Sequence, residues 1–484
     1  VRVARARRAD VRHDARVPPV DELSPPSWND PVVRDATTIV GGPVGRHARL
    51  GSARFWNPVR VLVALMMMTF TLGFAMKSPC SVHPWQKHYQ YTRLCYSDVF
   101  ALYYAEGIAD HQVPYRDHPV EYPPVIGGVM YAAGKLSQNA TDFYNVTAGM
   151  LLVCAVVTVV ATARTAGRRP WDAALVALAP GMLLHGTTNW DLVAVALAAL
   201  GLWAWARRHP EVAGLCLGLA IATKLYPVLF VAGLFFLCAR AGRLVAWLRM
   251  TAIAAATALV AYVPVILISR DFPVENCTRT VQQAAWLRFF TLNRCRGADW
   301  DSLAFAVQKI TGKGLTTERL NIVTGAATLM VVAAVGLLVL TAPRRPRTPQ
   351  VLFLLVAGFL LVNKVDSPQY TVWLIPLAAL ARPRWGAFLA WQGAEALVLF
   401  TRFYYFVNIG DPPRGIEAEW FVAAVLIRDV LLVALMALVV REVLRPYHDA
   451  VRRDGEDDPA GGVLDGALDA RDRVDLSGVE PATA

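Results

Sequence analysis

Between residues 59 and 444 the chain passes repeatedly through apolar runs, many near the length that crosses a hydrocarbon core. That feature narrows the fold to an all-α polytopic membrane protein. A closed β-barrel would show alternating segments of about ten residues, and none appear. The composition agrees, at 55% hydrophobic with a mean hydropathy of +0.39. The net charge of +11 does not point to nucleic acid. The Arg residues gather at the ends of the apolar runs, as the positive-inside rule expects.

Spans are expected near 59–76, 143–163, 171–185, 189–206, 211–225, 226–240, 245–268, 319–341, 349–363, 368–381, 385–401 and 419–444. Several fall short of about 17 residues, which implies little tilt or a thinned bilayer. Pro227 predicts a break between 211–225 and 226–240. Residues 1–54, rich in Arg and Pro, read as a disordered cytosolic tail. Residues 445–484, with the acidic run DGEDDP, read the same way. The first apolar run begins too late for a cleavable signal peptide.

The segment YPPVIGGVMYAAGKL, residues 122–136, decides the parity. If it spans, the later Arg clusters fall outside. If it lies at the interface or re-enters, the clusters at 164–169, 207–208, 240–243, 344–347, 382–384 and 441–445 fall inside, with both termini cytosolic. The second arrangement satisfies the charge rule better. It makes 77–142 and 269–318 the large outside loops, the second mildly basic against the rule. Each loop holds two cysteines, suggesting local pairs Cys80–Cys95 and Cys277–Cys295. Four unpaired thiols are the alternative, and spacing alone does not fix connectivity.

On this topology the outer face collects Asp98, Arg116, Asp117, Glu121, His185, Asp191, Lys224, Lys364, Asp366 and Arg402. Ionisable groups near membrane depth are costly, so each is a functional candidate. Lys is scarce, with seven against 41 Arg. Yet Lys224 and Lys364 interrupt apolar sequence at outer helix ends, where an ammonium suits a phosphate or simply snorkels to the interface. Asp98 could take a proton from an acceptor hydroxyl; Ser97-Asp98 also reads as the capped start of a helix. Glu121 is a weaker acid candidate. Gln369 and Tyr370 in SPQY could hydrogen-bond sugar hydroxyls. Asn189 or Asp191 in NWD could cap a helix. No Walker loop, dinucleotide fingerprint or metal spacing of His is present. No cofactor is expected, although Asp98, Asp117, Asp191 and Asp366 could share a divalent cation through oxygen ligands.

The acid Asp98 in the first outside loop, YPP (122–124), NWD (189–191), ATKLYP (222–227) and SPQY (367–370) together resemble the GT-C superfamily of integral membrane glycosyltransferases. From about residue 56 to 444 the chain is most similar to glycosyltransferase family 87, the actinobacterial group that includes the phosphatidylinositol-mannoside enzyme. The resemblance implies a GT-C bundle of about twelve transmembrane helices over 55–444, with interfacial helices in the first outside loop. It implies an inverting hexose transfer, with mannose the family's sugar, from a polyprenyl-phosphate donor to an envelope glycolipid or glycan. That places the enzyme in the plasma membrane with its site on the extracellular side. Asp98 would be the general base. Lys224, Lys364, Arg279 and Arg288 would hold the donor phosphate, and Glu121, Tyr122, Asp191, Gln369 and Tyr370 the substrates. The competing expectation is a transporter or lipid flippase. It would place its acids at midplane on broken, repeated helices, and no internal repeat is visible.

Overall fold

In a computed structural model, residues 56–82, 88–453 and 455–469 are described. The tail expected over 1–54 and its counterpart over 470–484 lie outside them. The chain divides into two compact units, Val1–Val61 and Leu62–Ala484. Of the first, only residues 56–61 are described. They open helix α1 (Pro58–Val82), with Asn57 Oδ1 accepting the Arg60 N–H at 2.9 Å as a cap.

The second unit is almost wholly helical. Ser97 caps α2 (Asp98–Ala105), accepting from the Val99 N–H. Pro123 and Pro124 set the start of α3 (Pro124–Lys135). Its 12 residues rise about 18 Å, well short of a hydrocarbon core of about 30 Å. There follow α4 (Ala140–Thr165), α5 (Pro180–His185), α6 (Asp191–Ala206), α7 (Pro210–Ile221), α8 (Val228–Ala241) and α9 (Leu244–Ile268). A two-residue turn joins strands β1 (Asp271–Asn276) and β2 (Arg279–Ala284) into an antiparallel hairpin. Helices α10 (Arg288–Cys295) and α11 (Leu303–Thr311) lead into α12 (Thr317–Thr341), α13 (Thr348–Val362), α14 (Thr371–Ala381), α15 (Trp385–Gly410) and α16 (Ala418–Leu444).

Among the described residues, five helices are long and apolar enough to cross a membrane: α1, α4, α9, α12 and α16. Four shorter apolar helices, α6, α7, α8 and α13, accompany them. The fold is consistent with an all-α membrane protein; helix length and composition alone do not establish the twelve expected spans. The span expected over 171–185 is instead three short pieces, Pro170–Ala173, Ala174–Ala177 and α5. Pro180 cannot continue a helix from Leu178–Ala179, because it lacks an N–H and its ring clashes with the preceding turn. The break at Pro227 appears as expected, between α7 and α8. Helices α13 and α14 are buried along nearly their whole length and form the centre. Helices α9 and α12 turn most of their apolar side chains outward. Gly214 and Gly218, four apart on one face of α7, let it approach the backbone of α9 at Met250 and Ala254 so closely that a Cβ would clash.

Residues 445–469, expected to belong to a disordered tail, pack back against the bundle over the described part. Asp449, fully buried, accepts from Arg347 at 2.7 and 3.1 Å and from Gln350 at 3.0 Å. Arg347 also donates to the carbonyls of Leu380 and Ala381, the last turn of α14. Asp458 accepts from the Thr348 N–H and hydroxyl at 2.7 and 2.8 Å, capping α13. Asp469 pairs with Arg345 and Arg240. Composition suggested solvation here; the paired Arg residues at the helix ends supply the partners that composition hides.

Candidate active site

The polar ends of several helices surround a cavity of about 510 Å³. Asp98, at the first position of α2, lies on its wall, half-buried. The capping hydroxyl of Ser97 donates to the Thr187 carbonyl at 2.8 Å. The Asp98 N–H donates to the Thr188 carbonyl at 2.8 Å. The start of α2 is thus stitched to the turn 186–190. Three side chains then hold the carboxylate. Tyr96 donates its hydroxyl to Oδ1 at 2.7 Å, Asn189 donates to Oδ2 at 2.6 Å, and Gln369 donates to Oδ2 at 3.3 Å. Asn189 also donates to the Tyr122 hydroxyl at 2.8 Å. Such donors fix the orientation of the carboxylate.

Lys224 follows α7, and its ammonium meets the Asp191 carboxylate at 3.4 Å. It lies over the rings of Tyr122 and Tyr370, 4.9 and 5.8 Å from their centroids, within cation–π reach. Trp373 stacks on Tyr370 at 4.0 Å and on Tyr226 at 4.4 Å, and donates its indole N–H to Asp191 at 2.7 Å. Asp191 is therefore the brace behind Lys224 and is not on the cavity wall.

Lys364 also lines the cavity. Its ammonium donates to the carbonyls of Arg296 at 2.5 Å and Arg294 at 3.3 Å, at the C-terminal end of α10. An ammonium has three donors and is well placed at a helix C-terminus. Its own carbonyl accepts the Asp299 N–H at 2.8 Å. Burial, then Arg296, lowers the Lys364 pKa.

Helix α10 brings Phe289, Phe290, Leu292 and Asn293 to the cavity wall, and Arg296, just past its last residue, joins them. Arg288, at the first position of α10, does not line the cavity. Arg279 follows the hairpin turn, exposed and away from the cavity. Of the loop cations, the one at the cavity is Arg296, 3.6 Å from Asp299. Nothing in the sequence distinguished it among seven basic residues of 269–318. Disulfides join Cys277 to Cys295, tying the hairpin to the end of α10, and Cys80 to Cys95.

Glu121, Tyr122, Gln369 and Tyr370 all line the cavity. Burial, then the neighbouring carboxylate of Glu106, pushes the Glu121 carboxyl up to about 7. Glu106 accepts the Glu121 N–H at 3.2 Å and faces His118 at 3.5 Å. The remaining acids of the outer set are dispersed. Asp117 pairs with Arg116 at 2.7 Å, whose hydrogen bond holds it down at about 2. Asp366 pairs with Arg428 at 3.0 Å, in a buried network that includes Glu395 and Asp429. Among the described residues, no group of three or more His, Cys, Asp or Glu is placed to hold a metal ion. Sequence reasoning missed Tyr96 and the role of Asn189 as a partner of Asp98. It also missed Trp373.

The class this chain falls in is that of the glycosyltransferases, enzymes that need a sugar donor and an acceptor. It belongs to glycosyltransferase family 87, whose model matches residues 121–363. The matched span holds Glu121, Tyr122, Asn189, Asp191, Lys224 and Arg296; Asp98 precedes it, and Lys364, Gln369 and Tyr370 follow it. No curated protein matches the chain.

Proposed function

We propose that the chain moves a hexose, mannose, from a polyprenyl-phosphate donor to an envelope glycolipid or glycan at the outer face of an actinobacterial plasma membrane, both termini being cytoplasmic. The observation that carries this reading is the Asp98 carboxylate, held by Tyr96, Asn189 and Gln369 in the same cavity as Lys224, Lys364 and Arg296. Asp98 takes the proton of the acceptor hydroxyl as its oxygen bonds to the sugar C1. The C1–O bond to phosphate breaks on the opposite face, inverting the anomeric carbon. The departing phosphate takes the electron pair, and Lys224 and Arg296 stabilise it, with the free donor of Lys364. Glu121, Tyr122, Gln369 and Tyr370 bind sugar hydroxyls, and Asp191 holds Lys224 in place. Family membership gives no support to a transporter or flippase.

The test is transfer by purified protein in lipid nanodiscs from synthetic polyprenyl-phosphate-mannose to an envelope lipid extract. Wild type should transfer. Asp98→Asn should lose roughly 10²–10⁴-fold in kcat while folding and binding donor. Near-normal turnover by Asp98→Asn would remove the base assignment, and an inactive wild type that binds no donor would remove the reaction class.

A further inference from the structure

His185 closes α5, one residue before the turn whose Thr187 and Thr188 carbonyls anchor Ser97 and Asp98. Its ring is 2% exposed and lines the same cavity as Asp98. Neither Nδ1 nor Nε2 has a hydrogen-bond partner. Buried polar side-chain atoms without a hydrogen bond occur elsewhere among the described residues. Only those of His185 and Arg402 belong to the cavity wall, and Arg402 is ion-paired with Asp301 at 2.7 Å. The imidazole is therefore the polar group at this end of the cavity that protein partners leave unsatisfied, and buried polar groups are rarely left so.

Its surroundings narrow what would satisfy it. The cations that act on the ring electrostatically are Lys77 and Arg402. Lys77 donates to the Tyr96 carbonyl at 2.7 Å, and Arg402 has Asp301. Lys77 is fully buried and off the cavity wall, and Arg402 is neutralised by Asp301, so at this end the wall offers a hydrogen bond and no unpaired cation. A neutral imidazole carries one donor and one acceptor nitrogen. A hydroxyl can serve either; a phosphate or an alkyl chain fits poorly.

We propose that His185 is a specificity-determining residue for the acceptor, hydrogen-bonding a sugar hydroxyl beside the one that attacks. This rests on the glycosyl-transfer reading above, which puts the acceptor at Asp98. The loss of one neutral hydrogen bond corresponds to roughly tenfold in affinity.

The experiment measures initial rates in nanodiscs against envelope-extract concentration at saturating polyprenyl-phosphate-mannose, then against donor at saturating extract. His185→Phe should raise the apparent KM for extract about tenfold and leave the donor KM within twofold. His185→Gln, which keeps a donor and an acceptor, should recover most of the loss. Should His185→Phe fail to fold, His185→Ala carries the same expectation. An unchanged extract KM, as an ordered water partner would give, overturns the proposal. So does a parallel rise in both KM values, which marks a structural role. Wild-type inactivity instead counts against the transfer reading itself.

Discussion

The side-chain amide of Asn189 reaches across 91 positions of sequence to donate to the Asp98 carboxylate at 2.6 Å, and the same nitrogen meets the Tyr122 hydroxyl at 2.8 Å. One buried amide nitrogen thus ties the starts of α2, α3 and α6 together. Asn189→Ala should lower kcat roughly tenfold to a hundredfold by freeing the carboxylate to rotate. The donor KM should change little. Steady-state rates with each substrate varied in turn check the split.

Lys364 fixes the chain where α10 ends, through the carbonyls of Arg294 and Arg296. Lys364→Met leaves those carbonyls without their partner and loosens residues 294–299, which carry Arg296. Amide hydrogen exchange over 288–299 should accelerate, and the donor KM should rise several-fold. Unchanged exchange would show that the ammonium does not hold this segment.

The Cys277–Cys295 bridge closes a loop with a sequence separation of 18 and ends one residue before Arg296. A loop of that size contributes about 3 kcal/mol in the chain-entropy model. Reduction, or the Cys277→Ser/Cys295→Ser pair, should raise exchange across 271–299 and weaken donor binding while the central helices α13 and α14 keep their protection. Donor binding by titration calorimetry, with and without reductant, gives the answer.

Glu121 has its carboxyl raised by burial, from 4.5 in the unfolded chain to about 7 in the fold. The fold therefore holds a proton that the unfolded chain releases first. The stability this contributes is complete below about 4.5 and is lost as pH rises through about 7. Melting temperatures between pH 4.5 and 8 should fall more steeply for wild type than for Glu121→Gln. Parallel curves would exclude this carboxyl as the titrating group.

The sequence made the apolar helices legible, because hydropathy needs only composition within a window. It marked the break at Pro227 and the capped start at Ser97 through single residues with fixed backbone consequences. It misjudged 171–185, where a short apolar run looks like one span although Pro180 breaks it. It brought Asp98, Glu121, Tyr122, Lys224, Lys364, Gln369 and Tyr370 forward, and they share one cavity. It did not separate Arg296 from Arg288, since that choice turns on where the two ends of α10 lie in the fold. Nor did it reveal that Asn189 serves Asp98 as well as its own helix start, because their contact is made only when distant segments meet.

The folded-back segment 445–469 has a consequence for biosynthesis. Arg347, 2% exposed, finds its carboxylate partner 102 residues later, in Asp449. While the ribosome is still making helices α14 to α16, the guanidinium has no Asp449 to meet. A buried charge without its partner is strongly unfavourable, so the N-terminal end of α13 cannot close until Asp449 has been made. Segment 445–469 thereby acts as a check that the bundle ahead of it is complete, and a product cut short after α16 would carry an open end in place of a sealed one.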